Sequence, residues 1–393
     1  MRYNNMEYLY LEVVTVKRTL RIGLLGFGAM GKTHAFGVNN LGFYYNGLPF
    51  SAEIAGVCTT NAEKAKKIAV DYGFSYGTDC EDLIINDPNI DIIDICTPNV
   101  YHYETVKKAL AKGKHIYCEK PLTIDADKAY ELASLAKESG RICTVVFNNR
   151  FISPALKAKE LIDEGKIGRV LSFSAEYLHN SCTDVNRPAG WKQNKDICGG
   201  GVLFDLGSHA IDMIYSLCGE FESVYGIPQI AYPERAGSDG KPWQTNADEA
   251  FYMICKLRSG ACGTVTVSKL VNGANDDLCI SVYGERGSLK FSIMQPNFLY
   301  YYDASVKPTA LGGECGYKAI ECVSRYPAPG GLFPAPKATT DWLRGHVGSL
   351  YSFLNSVYEG KQASPDFSDG AHVQAVMEAA YRSAEERTEI KVK

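Results

Sequence analysis

The chain has 393 residues, which is too long for one ordinary hydrophobic core and predicts two domains. Its 46% apolar and 22% charged residues are typical of a soluble globular protein. A net charge of −4 gives no electrostatic basis for a nucleic acid or an anionic membrane as partner. No apolar run approaches the roughly 20 residues of a bilayer span, so we expect no membrane partner.

Thirteen cysteines are scattered along the chain without a Cys-x-x-Cys pair. An odd number without paired spacing predicts reduced thiols and a cytoplasmic protein. Because the ligand spacings of structural zinc sites are missing, we predict no metal site.

The N-terminal extension, residues 1–19, lacks the apolar core and the cleavage site of a secretory signal. Apolar and polar residues alternate there, which leaves an extra strand and a loose extension both open.

A short apolar run then leads directly into a glycine-rich turn. Strand, tight turn and helix N-terminus together predict a cradle for a dinucleotide pyrophosphate, because the free N–H groups of the helix favour an anion. The predicted contacts come from Gly26, Phe27, Gly28, Ala29, Met30 and Gly31.

Strands and helices alternate from here to about residue 148. Strands are predicted at 52–58, 91–96, 115–118 and 141–147, and helices at 61–72, 101–112 and 125–139. Repeated βα units of this length predict a doubly wound parallel sheet, which is a Rossmann dinucleotide-binding domain over residues 20–148.

The pattern changes in residues 149–393, where strands follow one another with short turns. We predict helices at 153–164, 340–359 and 369–387, strands at 169–177, 250–257, 263–270, 277–283 and 287–292, and a long Gly- and Pro-rich surface loop at 304–338. The prediction is an α+β domain for substrate binding and oligomerisation, with a large, mainly antiparallel open sheet. Because such a sheet needs its open face covered, we expect a homo-oligomer, a dimer or tetramer.

Four motifs resemble those of one enzyme family. They are Gly26–Gly31, Thr97-Pro98-Asn99-Val100-Tyr101-His102, Gly113-Lys114-His115-Ile116-Tyr117-Cys118-Glu119-Lys120-Pro121 and the segment from Gly199 to Asp212 with its Asp-Leu-Gly-Ser-His core. The chain resembles the glucose–fructose oxidoreductase / inositol dehydrogenase / rhizopine-catabolism (Gfo/Idh/MocA) family of NAD(P)-dependent oxidoreductases. The resemblance runs from about Arg21 to Asp212 and more loosely to the C-terminus.

Lys120 follows a predicted parallel strand, at the carboxyl edge where open α/β sheets bind ligands. An ammonium beside a substrate hydroxyl orients it and stabilises a developing alkoxide. The resemblance implies that Lys120 is catalytic and binds both substrate and cofactor, and that Glu119 lies near the nicotinamide ribose. Pro121 is expected to fix this loop and allows a cis peptide bond.

Asp205 and His209 are four residues apart, so on a helix they would share one face within hydrogen-bonding range. A carboxylate beside an imidazole fixes its tautomer and favours its protonated form. The resemblance implies that His209 is the acid/base and that Asp205 is its partner and a substrate ligand. The alternative is a structural histidine at a helix start.

Further substrate contacts are predicted at Arg150, Tyr177, His179 and Trp191. Tyr177 and His179 alternate on one strand and therefore project to one face, where a packed tyrosine is an equal alternative. The Thr97-Pro98-Asn99 turn and His102 are expected to shape the cofactor pocket. His34, His115, His346 and His372 are interpreted as structural or surface residues.

The second strand ends without the acid that usually selects NAD or an arginine for a 2′-phosphate. Thr59, Thr60 and Lys64 are the candidates for binding the ribose or its phosphate. Either NAD or NADP is therefore expected.

The leading hypothesis is an enzyme that transfers hydride between nicotinamide and a secondary hydroxyl of a sugar, glycoside or cyclitol, with glucoside C3 as one oxidation site by family analogy. Family resemblance leaves two alternatives. One is a glycosidase that uses transient redox with bound NAD. The other is a nucleotide-responsive regulator, which the retention of Lys120, Asp205 and His209 disfavours.

Overall fold

The computed structural model describes residues 17–237, 240–324, 326–335 and 337–393. Most of the predicted N-terminal extension, residues 1–16, lies outside the described part. Arg18 and Thr19 already belong to the first strand, so the first sheet begins two residues before the predicted boundary.

The first unit is a six-stranded parallel sheet in the order β3-β2-β1-β4-β5-β6, flanked by helices. Its strands are β1 Arg18–Leu25, β2 Phe50–Cys58, β3 Tyr76–Thr78, β4 Ile92–Ile95, β5 His115–Cys118 and β6 Cys143–Val145. Its helices are α1 Ala29–Tyr44, α2 Ala62–Tyr72, α3 Glu81–Ile85, α4 His102–Ala111 and α5 Ala126–Ser139. The predicted Rossmann fold is confirmed.

The helix ends follow from capping chemistry. Asn61 accepts a hydrogen bond from the backbone N–H of Lys64 at the start of α2, and Gly73 ends the helix with φ +76°. Asp125 and Gly140 cap α5 in the same way. These local rules explain why the predicted bounds of both helices hold to within a residue.

The second unit has a nine-stranded sheet in the order β16-β15-β14-β13-β7-β12-β11-β8-β17, and a separate hairpin of β9 and β10. Its strands are β7 Val170–Leu178, β8 Phe221–Gln229, β9 Glu234–Ala236, β10 Pro242–Gln244, β11 Ala250–Leu257, β12 Cys262–Ser268, β13 Asp277–Gly284, β14 Gly287–Ser292, β15 Phe298–Asp303, β16 Tyr317–Glu321 and β17 Ile390–Lys391. Its helices are α6 Ser153–Asp163, α7 Lys195–Cys198, α8 Ser208–Cys218, α9 Trp342–Glu359 and α10 Phe367–Glu386. All pairs in the large sheet are antiparallel except β7 with β12.

The segment 304–338 is only partly the surface loop that its composition predicted. Residues Tyr317–Glu321 form β16, which pairs with β15 at the edge of the sheet. The outward side chains of β16 are mostly exposed, so the segment lacks the buried apolar alternation from which strands are recognised.

Helix α9 belongs to the second unit by sequence but packs on the first sheet. Its buried side chains, including Val347, Leu350 and Phe353, share a hydrophobic core with β1 and α1. The Tyr117 hydroxyl on β5 donates to Ser349 Oγ at 2.8 Å. The chain thus returns to the nucleotide-binding unit after building the large sheet, which brings α9 to the junction.

The segment Lys195–Cys218 is long and apolar enough to cross a membrane by length and composition alone, contrary to the expectation that no such run exists. However, 83% of its most apolar window is buried inside the protein, as in the core helix of a folded domain.

Candidate active site

The glycine turn after β1 fits a dinucleotide. Gly26 has φ +94°, and a Cβ on Gly31 would lie 2.3 Å from the Gly26 carbonyl oxygen, so both positions require glycine. A Cβ on Gly28 would meet no atom within 4 Å, which leaves open space beside the first turn of α1. That turn carries no acidic side chain and no side-chain cap, so its N–H groups are available to a pyrophosphate. Phe27 instead packs edge-on against Tyr72.

A cavity of about 270 Å³ lies between the two units, beside this turn. Its walls follow the carboxyl ends of β4, β5 and β6, which is the edge where open α/β sheets bind ligands. Ten predicted site residues line it: Met30, Thr97, Asn99, Glu119, Lys120, Tyr177, His179, Trp191, Asp205 and His209. Among the residues that sequence reasoning missed are Asn148, Lys192, Asp276, Trp342 and His346.

Lys120 and Asp205 meet in this cavity from the two units. The Lys120 ammonium donates to the backbone oxygen of Asp205 at 2.6 Å and to its Oδ1 at 3.2 Å. The Lys120–Pro121 peptide bond is cis, which the sequence analysis allowed. The lysine is therefore held with its charge directed at the cavity.

Two more lysines converge on the same carboxylate. Lys192 lies 2.7 Å from Asp205 Oδ1, and Lys269 lies 2.8 Å from Oδ2. Burial alone would raise the pKa of Asp205, but the charges of Lys269, Lys120 and Lys192 outweigh it and hold the pKa well below its usual range. Asp205 is thus a carboxylate at any physiological pH.

The expected hydrogen bond between Asp205 and His209 is wrong. Leu203–Gly207 forms a π-helical turn before α8, so a four-residue spacing no longer stacks the two side chains. The carboxylate of Asp205 is instead paired with the three lysines. His209 Nδ1 is buried without a hydrogen-bond partner in the described structure. Burial lowers the pKa of His209 to about 3, with Lys120 adding to the effect, so His209 is neutral rather than protonated.

Tyr177 and His179 project into the cavity from β7 and its end, as their alternation predicted. Both contact Asp276 Oδ1, the tyrosine hydroxyl at 2.6 Å and His179 Nε2 at 2.8 Å. The Tyr177 ring also lies edge-on to His209, with ring centroids 6.0 Å apart. These groups form a polar part of the cavity wall.

Glu119 is held by a buried histidine that the sequence analysis assigned only a structural role. His34 Nε2 lies 3.2 Å from Glu119 Oε1, and His34 Nδ1 lies 2.9 Å from Asp94. Burial opposes ionisation of Glu119, but the adjacent His34 ring and the charge of Lys120 lower its pKa to about 2. The ionised Glu119 lines the cavity together with Met30 of the glycine turn.

His346 is a second histidine whose position the sequence did not reveal. It lies on α9, is 4% exposed, lines the cavity, and has no hydrogen-bond partner for either ring nitrogen within the described residues. Burial lowers its pKa to about 3. Only the return of α9 to the first unit brings it there, and that long-range packing leaves no local pattern.

Several predicted contacts lie elsewhere. Arg150 does not line the cavity; its guanidinium is paired with Asp212 at 2.5 Å and with Asp369 at 3.4 Å, which ties the unit junction together. His102 is fully buried, and its ring nitrogens lie 3.0 Å and 2.9 Å from the carbonyl oxygens of Pro121 and Thr97. It therefore holds the segments at Thr97 and Pro121 together and does not line the cavity.

The predicted ribose contacts follow β2. The Thr59 hydroxyl donates to the Asn61 carbonyl oxygen at 3.0 Å, and Thr60 and Lys64 are exposed beside it. The role of these three residues stays a prediction.

Comparison with known proteins agrees with this architecture. Residues 20–147 match "Oxidoreductase family, NAD-binding Rossmann fold", and residues 155–290 match the GFO/IDH/MocA C-terminal domain. The chain belongs to the GFO/IDH/MocA family. Its N-terminal unit is accordingly an NAD-binding Rossmann domain, and the protein is an oxidoreductase.

Among curated members of the family, levoglucosan dehydrogenase of Pseudarthrobacter phenanthrenivorans is 30% identical over 93% of this chain and 96% of its own. Inositol 2-dehydrogenase of Rhizobium meliloti is 25% identical over 95% of this chain and 99% of its own. A solved structure of levoglucosan dehydrogenase with NADH and levoglucosan superposes with a TM-score of 0.91, at 30% identity, and covers 95% of this chain and all of that one. The family is thus one of NAD-dependent dehydrogenases of sugars and cyclitols.

Proposed function

We propose that this enzyme oxidises a secondary hydroxyl of a sugar, glycoside or cyclitol with NAD as hydride acceptor, and that Lys120, Asp205 and His209 carry the reaction. The observation that supports this most is their convergence in one cavity, at the carboxyl edge of the sheet and next to an open glycine cradle. When bound, NAD⁺ supplies the hydride acceptor.

His209 is suited to receive the hydroxyl proton. Its neutral ring has an unpartnered nitrogen, buried among groups that exclude water. A pKa of about 3 makes it a weak base, but the hydroxyl proton becomes strongly acidic as hydride leaves the same carbon, so a weak base suffices.

Lys120 and Asp205 orient the reacting hydroxyl. The ammonium stabilises negative charge that develops on oxygen, and the ionised carboxylate fixes the ammonium without competing for its proton. Tyr177, His179 and Asp276 offer donors and acceptors to the remaining hydroxyls along the cavity wall. Such a ring of polar groups suits a polyol better than an apolar alcohol.

The test is to incubate the protein with NAD⁺ or NADP⁺ and a panel that contains levoglucosan, xylose, myo-inositol and several glycosides, and to follow nicotinamide absorbance. Reduction with at least one polyol is expected. Consumption of a glycoside without net reduction would instead indicate the redox glycosidase, and oxidation at C3 would be read from the product. If none of these is observed while NADH binds, the proposed function is wrong.

We further propose a homo-oligomer in the cytoplasm. Thirteen free thiols suit a reducing compartment. The face of the large sheet turned away from the helices exposes Tyr252 and Ile254 of β11 and Ile227 of β8, which pairs with Tyr252, and Ile254 is 64% exposed. A contiguous apolar sheet face of this kind is typical of an interface between copies.

Ile254→Glu is expected to dissociate the oligomer, because it places a charge in the middle of this face. Sedimentation at micromolar concentration would measure the change. Val70→Glu, on an 82% exposed side chain of α2, is the matched control and should leave the oligomer intact. A monomeric wild-type protein would contradict the proposal.

A further inference from the structure

The charges around Asp205 do not balance. Three ammonium groups, those of Lys120, Lys192 and Lys269, lie within 3.2 Å of one carboxylate, which leaves a formal excess of two positive charges. Lys120 and Lys269 are largely buried, with side-chain exposures of 14% and 8%. Because uncompensated charge away from water is costly, a cluster of this sign favours an anion beside it.

A second cavity adjoins the first at this cluster. The two share His179, Trp191, Lys192 and Asp205 in their walls. The second cavity adds Arg187 and Lys269, while its other cation, Arg235, is neutralised by a buried ion pair with Glu249. Asp205 is the sole acidic residue among the described residues that line it.

Arg187 has no carboxylate within ion-pair distance in the part of the chain that the structure describes. Its Nη1 donates to the Ser181 carbonyl oxygen at 3.3 Å, and the remaining guanidinium N–H groups have no hydrogen-bond partner among the described residues. Lys192 is 45% exposed, so its ammonium can turn towards a ligand while Lys269 keeps Asp205 paired. Two cations with free donors thus face one space next to the reacting groups.

We propose that the substrate carries an anionic group, a carboxylate or a phosphate ester, which Lys192 and Arg187 bind in the second cavity while its hydroxyl reacts at Lys120 and His209. This inference rests on the proposed function and narrows its substrate class to acidic or phosphorylated sugars and polyols. Arginine and lysine bind both carboxylates and phosphates with charge-assisted hydrogen bonds, so the geometry favours an anionic group of either kind.

The experiment is an equilibrium titration of the NADH-saturated protein with glucose, glucuronate and glucose 6-phosphate, and separately with inorganic phosphate, at constant ionic strength set by chloride. We expect at least one charged sugar to bind tenfold or more tightly than glucose and inorganic phosphate to compete with it. The uronate and phosphate arms distinguish the two anions.

Lys192→Gln and Arg187→Gln are expected to remove this preference and to weaken the charged sugar tenfold or more. Lys195→Gln is the matched control, since it removes the same charge three residues away, outside both cavities, and should change neither affinity. Equal binding of the three sugars, or equal weakening of glucose and the charged sugars by Lys192→Gln, would overturn the proposal. The titration measures binding and does not require turnover. Charge-dependent binding without NADH formation in the activity assay would therefore refute the proposed function but not the anion site.

Discussion

Lys120 links the two units of the molecule through hydrogen bonds. It follows β5 of the nucleotide-binding sheet, yet its ammonium donates to Asp205 on the helical segment of the other unit. Its charge is therefore fixed relative to both units. Preorganisation of this kind stabilises developing charge without the cost of reorienting solvent.

Lys120→Met keeps the length of the side chain and removes its charge. We expect kcat to fall by about 10²- to 10³-fold, since one preorganised donor to a developing oxyanion is typically worth that much. Steady-state kinetics with the best substrate of the panel measures this, with the dissociation constant of NADH as the control for an intact fold. A kcat within threefold of the wild type would refute a catalytic role.

Two side chains at this site show what sequence reasoning can and cannot reach. Lys269 and His179 each follow directly after one of the two parallel strands β12 and β7, whose last residues, Ser268 and Leu178, are paired. Both residues lie at the same end of the sheet. That could have been predicted only by knowing that β7 and β12 are parallel within an otherwise antiparallel sheet. The contact of Lys192 with Asp205 is set by long-range folding, so sequence reasoning missed it.

At the scale of elements, the junction between the units is tied by Arg150. It lies just after the first unit, while Asp212 lies on α8 and Asp369 on α10. Burial raises the pKa of Asp212 to about 6 even though Arg150 opposes this, so the arginine is what keeps the carboxylate charged at neutral pH.

Arg150→Leu is expected to destabilise the protein by about 3 to 5 kcal/mol, because it leaves a buried carboxylate without its partner. Urea unfolding measures the change. Arg169→Leu removes an arginine from an exposed pair with Glu285 and should cost less than about 1 kcal/mol. Equal costs for the two substitutions would show that the junction does not depend on the buried pair.

The elements themselves were largely predictable where local chemistry decides them. The capped helices α2 and α5 and the strands β5, β11 and β14 lie where the sequence placed them, since caps and apolar alternation act within a few residues. Strands β15, β16 and β17 were missed, because β15 and the edge strand β16 lack buried apolar alternation and the short β17 pairs with β8, which lies far earlier in the chain. The same holds for His346, which only the docking of α9 brings to the cavity.

At the scale of the whole molecule, several histidines are held neutral by burial, and this couples stability to pH. Burial lowers the pKa of His115 to about 4, with the charge of Arg141 adding to it, and the pKa values of His209 and His346 to about 3. The unfolded chain binds protons at these positions below about pH 6.5, while the folded protein does not. Their contribution to stability is therefore complete above pH 6.5 and is lost as the pH falls towards 4. The raised pKa of Asp212 acts in the opposite direction.

His115 lies outside the active site, and its Nδ1 accepts a hydrogen bond from the Ile142 N–H, so it isolates this effect. His115→Asn keeps an acceptor but cannot titrate. We expect the loss of unfolding free energy between pH 7 and pH 5 to be smaller in this variant by about 1 to 2 kcal/mol. Denaturant unfolding at the two pH values measures it, and parallel pH profiles for the variant and the wild type would contradict the assignment.

The most direct test of hydride transfer at Lys120, Asp205 and His209 is a single-turnover measurement with the best substrate. NAD⁺ reduction is followed in the wild type and in His209→Asn, with NADH binding measured for both by fluorescence. We predict that the variant binds NADH as the wild type does but forms it at least 10²-fold more slowly, because the substitution removes the base assigned to the reacting hydroxyl. A variant that reduces NAD⁺ within threefold of the wild-type rate would contradict the proposed active site.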